Sequence, residues 1–78
     1  MERVEGGIVA IYATWPLQLA LEGRSGRIDV ALSAETTVIA GGRAAAPTAL
    51  RDGARVAVEG ETNAPGAMIA AGISILPP

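Results

Sequence analysis

Apolar residues fall at every second position in four separate stretches of this chain. That period of two is the signature of strands with one buried face. Leu17, Leu19 and Leu21 alternate with Gln18, Ala20 and Glu22, and Ile28, Val30 and Leu32 alternate with Asp29, Ala31 and Ser33. Val56 and Val58 alternate with Arg55, Ala57 and Glu59, and Ile69, Ala71, Ile73 and Ile75 share one side of a last segment. An earlier stretch, about Gly6 to Thr14, is apolar on both faces, which suits a long central strand.

The punctuation agrees with the period. Gly23-Arg24-Ser25-Gly26 reads as a tight hairpin between the second and third strands, and Asn63-Ala64-Pro65-Gly66 as a turn between the last two. Pro16 lacks an N–H for a sheet ladder, so it is expected to open the second strand or mark a bend. Thr36 to Ile39 looks like a short extra strand. Ala44 to Leu50, with Pro47 inside it, reads as one helical turn or an ordered loop. The chain is thus expected to be all-β: a small five-stranded antiparallel Greek-key barrel, OB-fold-like with a vestigial or absent helix, with an SH3-like barrel as the alternative. Its expected core is Ile8, Leu19, Leu21, Val30, Leu32, Val56, Val58, Ile69 and Ile73. Leu50 plugs one end, and Asp52-Gly53 forms a corner turn.

Size matters at this point. The 78 residues make a single domain, 1–78, and the core of so short a chain rarely supplies more than about 3–5 kcal/mol. There is no Cys to form a disulfide and no His to bind zinc, which leaves packing or self-association as sources of stability. Charged residues are only 18% of the chain, so much of the surface is Ala, Gly, Ser and Thr and is easily dried.

The same inventory excludes most chemistry. Ser25, Ser33 and Ser74 have no His to activate them, and no thiol is present. Glu59 and Glu61 read as solvated strand-face charges, and no stretch matches a calcium-binding loop. Gly41-Gly42-Arg43 has the backbone to cradle an anion, but the Gly-Gly pair reads first as a flexible connection. No catalytic residue, cofactor or metal is expected. The formal charge of −2 and the scarcity of aromatics argue against nucleic acid as the partner. No run of about 18 apolar residues is present to span a membrane as a helix. Met1-Glu2-Arg3-Val4-Glu5 lacks the basic-then-apolar pattern of a secretory leader, so the expectation is an intracellular protein or one whose leader was removed.

Several segments together resemble a known group. They are Gly6-Gly7-Ile8-Val9, Glu35-Thr36-Thr37-Val38-Ile39-Ala40-Gly41-Gly42, Leu50-Arg51-Asp52-Gly53-Ala54-Arg55-Val56-Ala57-Val58-Glu59-Gly60 and Met68-Ile69-Ala70-Ala71-Gly72-Ile73-Ser74-Ile75. From about Val4 to Leu76 the chain resembles a bacterial family of small OB-fold-like β-barrel domains of unknown function. That resemblance implies an extracytoplasmic location and no particular activity. The closing segment is also similar to the haem chaperone of cytochrome c maturation, but the haem-attaching His is missing, so no haem is implied.

Two functions follow. The first is a non-enzymatic structural or interaction module. It would self-assemble into an oligomer, filament or larger shell, or dock onto a larger assembly, through neutral Ala/Gly-rich strand faces or edges. The alternative is an OB-type ligand-binding module for oligonucleotide, oligosaccharide or peptide. Tyr12 and Trp15, the only aromatics, are the candidate interface residues. Trp15 either caps an open barrel end over Leu17 and Leu50 or anchors a neighbouring subunit.

Overall fold

The computed structural model describes residues 2–12, 17–24 and 26–77. Its strands are β1 (Glu2–Tyr12), β2 (Gln18–Gly23), β3 (Gly26–Ala31), β4 (Thr37–Ala40), β5 (Arg43–Ala45), β6 (Arg55–Ala64) and β7 (Ala67–Ile75). Strands β1, β2 and β3 form an antiparallel meander. β6 pairs with the other edge of β1, β7 pairs antiparallel with β6, and β3 meets β7 in parallel at Asp29–Ala67, Val30–Met68 and Ala31–Ile69. Five strands therefore close a barrel in the order β1-β2-β3-β7-β6 and back to β1, the Greek-key connectivity of an OB-type barrel. The closing β3–β7 contact is parallel, in an otherwise antiparallel wall.

The long connection between β3 and β6 holds the β4–β5 hairpin, with β4 laid parallel to the upper half of β7. Gly41 and Gly42 form its two-residue turn at φ 59° and 79°, a left-handed pair that only Gly adopts readily. The Gly-Gly dipeptide is therefore a hairpin turn rather than a flexible link. What remains of a helix is one 3-10 turn, Pro47–Ala49, opened by the proline instead of being interrupted by it. Thr36 fastens the start of β4 to the barrel. Its Oγ1 donates to the Ala70 carbonyl at 2.6 Å and accepts from the Ser33 N–H at 2.8 Å.

Inside, Ile8, Leu19, Leu21, Val30, Leu32, Val56, Val58 and Ile73 are buried as the alternation predicts, and Leu50 joins them. One expected core residue is not there. Ile69 is 44% exposed, and Met68 and Ala70 are buried in its place. The reason is a β-bulge. Gly60 pairs with Ala70 while Glu59 pairs with Gly72, so Ala71 is an extra residue and the inward set switches phase across it. Gly60 makes the kink possible: a Cβ there would lie 2.0 Å from the Ile69 carbonyl oxygen. A second bulge, at Val9, sits between the Ile8–Leu21 and Ala10–Ala20 pairs and leaves Val9 exposed. The first strand also begins earlier than expected, at Glu2, and among the described residues no neighbour covers its outer side.

The Gly23-to-Gly26 hairpin and the Pro65-Gly66 turn fall where the sequence puts them. Trp15, Pro16 and Ser25 lie outside the described residues.

Candidate interaction face

On β2, Leu19 and Leu21 point inward, so Gln18, Ala20 and Glu22 belong to the outer surface. Cross-strand register then sets a row of neighbours on that surface. Tyr12 pairs with Gln18, Gln18 with Ala31, and Ala31 with Ile69, from β1 across β2 and β3 to β7. The adjacent row is Ala10, Ala20, Asp29 and Ala67. Alanines recur along these rows, and Tyr12 and Ile69 stand out from them, 42% and 44% exposed. Val9 emerges at the β1 bulge beside Ala10.

The polar groups here are tied to one another. The Arg27 guanidinium donates to the Tyr12 hydroxyl at 2.8 Å and lies 3.6 Å from the Asp29 carboxylate. Arg27 and Tyr12 belong to the rows on either side of Ala20, so their bond passes over it. This explains why Ala20, on an outer face, has no exposure at all. With Gln18 and Leu19 these residues line a shallow depression. The β6–β7 turn borders the same surface, because the Asp29 N–H donates to the Gly66 carbonyl at 2.8 Å.

Of the two residues singled out from sequence, Tyr12 is on this face, and Trp15 lies outside the described residues. The sequence gives no sign of the bond between Arg27 and Tyr12, which joins residues 15 positions apart. Its alternation assigned Ile69 to the core. Among the described residues, no group of three or more His, Cys, Asp or Glu converges to hold a metal ion, and no helix is long and apolar enough to cross a membrane.

The fold is that of a small OB-type barrel, and the surface just described is the one its β2–β3 strands present. A comparison with protein-family models finds no match, and a comparison with curated proteins finds none. Function is therefore read from the chain's own geometry.

Proposed function

We propose that this protein is a non-enzymatic interaction module that associates with further copies of itself. The observation behind this reading is the outer face of β1, β2, β3 and β7, where Tyr12 and Ile69 stand exposed among rows that carry Ala10, Ala20, Ala31 and Ala67. Ile69 faces outward only because of the Ala71 bulge, and bulges commonly re-aim a side chain toward a functional contact. A large apolar side chain held outside, when the same strand has an inward phase available, contributes little to the barrel and much to a contact. The charges on this face, Arg27 and Asp29, lie 3.6 Å apart and offset one another, so the face carries little net charge. Catalysis has no support in the residue inventory, which contains neither His nor Cys. Sedimentation equilibrium over a wide concentration range tests the reading. A mass rising above that of one chain supports it, and a single-chain mass at several hundred micromolar overturns it.

A second reading is favoured by one feature. The Tyr12–Arg27 pair reaches from β1 to β3 over β2, beside the β2–β3 strands with which OB barrels hold oligonucleotides and oligosaccharides. An aromatic ring next to a guanidinium is a stacking platform for a base or sugar. Titration with a fluorescent single-stranded oligonucleotide at low salt separates the readings. Saturable binding that weakens steeply with salt favours the ligand module.

A further inference from the structure

Every glycine of the chain but one has a local reason to be glycine: a positive φ, or an atom within 3.4 Å of where a Cβ would stand. The exception is Gly7, in the interior of β1. Its φ lies outside the left-handed region, and an added Cβ would meet nothing within 4 Å. A glycine inside a strand weakens it, and it commonly marks a place where another backbone or a ligand comes close. On the outer surface Gly7 stands between its two cross-strand partners, Arg55 of β6 and Glu22 of β2, both long and exposed. That row dips at its centre.

Two residues on, Val9 is the reverse case. The bulge leaves it without a cross-strand partner, and at 48% it is the most exposed large apolar side chain among the described residues. Beside it the row holds only Ala10 and Ala20. Here the surface rises at one point. The barrel needs neither the bare spot at 7 nor the valine in solvent at 9.

Gly7 and Val9 flank Ile8, whose side chain belongs to the core. Two copies stacked outer face to outer face, with a two-fold axis crossing β1 over Ile8, run their β1 strands antiparallel. That axis sets the valine of each copy over the glycine of the other, between the aliphatic stems of the arginine and glutamate that flank it. Knob and hole lie on the same chain, which is what a contact between identical surfaces requires.

We propose that β1 of one copy packs antiparallel across β1 of a second copy, with Val9 of each seated on Gly7 of the other. One contact then accounts for both the bare glycine and the exposed valine. This rests on the self-association reading and extends the Tyr12–Ile69 surface along β1.

The test is an exchange of knob and hole in the full chain: Gly7→Val, Val9→Gly, and the two combined, with circular dichroism to show that each variant is folded. Gly7→Val has room in the single chain but sets valine against valine in the contact, and is expected to weaken association about tenfold or more. Val9→Gly leaves the hole unfilled and is expected to weaken it about tenfold. The combined variant seats the valines again with the positions reversed, and is expected to associate within about threefold of wild type. Single variants that associate like wild type, or a combined variant no better than the singles, overturn the seating. Should Val9→Gly not fold, Gly7→Val decides alone: folded and associating like wild type, it overturns the seating. If Ile69→Lys abolishes association while the variants at 7 and 9 leave it unchanged, the seating fails and the face reading survives. A wild-type chain that is monomeric throughout overturns both.

Discussion

The inner wall of the barrel and its β1–β2–β3–β7 outer face share strands but differ in how they use apolar residues. Inside, large aliphatics interdigitate: Leu19, Leu21, Val56 and Val58 have no exposed surface. Outside, Ala10, Ala20, Ala31 and Ala67 form the paving, and the large residues Tyr12, Val9 and Ile69 stand in solvent at 42–48% exposure. The barrel is filled without the outer set. The difference implies that stability is concentrated in the inner wall and that the outer face is free to be specified by a partner.

The largest effect should come from the inner wall. Leu21→Ala removes a fully buried side chain and is expected to lower unfolding free energy by about 2–5 kcal/mol, read from chemical denaturation in dilute solution. Less than about 1 kcal/mol would mean that the two surfaces do not divide the work as described.

Gly60, where the two surfaces meet, comes next. Gly60→Ala places a methyl against the Ile69 carbonyl, a backbone atom that cannot swing aside, and is expected to destabilise by about 1–3 kcal/mol. Unchanged stability would show that the bulge is not where the register puts it. The smallest effect belongs to Tyr12→Phe, which deletes only the hydroxyl that accepts from Arg27. Stability should shift by no more than about 0.5 kcal/mol. The NMR signal of the Arg27 guanidinium should nevertheless move, and a static signal would mean the bond over Ala20 does not form.

Much of the barrel is legible in the sequence because β2, β3 and the first half of β6 alternate without interruption, and Gly or Pro marks each of their turns. Ile69 was misassigned because an inserted residue resets the phase, and alternation by itself cannot register a residue that has no cross-strand partner. The sign is on the opposite strand: Gly60, a glycine in a strand interior, is a common mark of close backbone approach. The β4–β5 hairpin was half legible, with β4 visible in Thr37–Ala40 and β5 hidden in the alanine run Arg43–Ala45. Tyr12 was found by residue type. Its partner Arg27 was not, since their contact depends on two strands being set in register over Ala20.

The most direct test of the outer face as a self-association surface is sedimentation equilibrium of Ile69→Lys beside wild type. Ile69 is exposed, so the substitution should change folding stability by no more than about 0.5 kcal/mol. The account predicts that wild type gains mass with concentration and that Ile69→Lys stays folded with its association weakened at least tenfold. A folded Ile69→Lys that associates as tightly as wild type would contradict it.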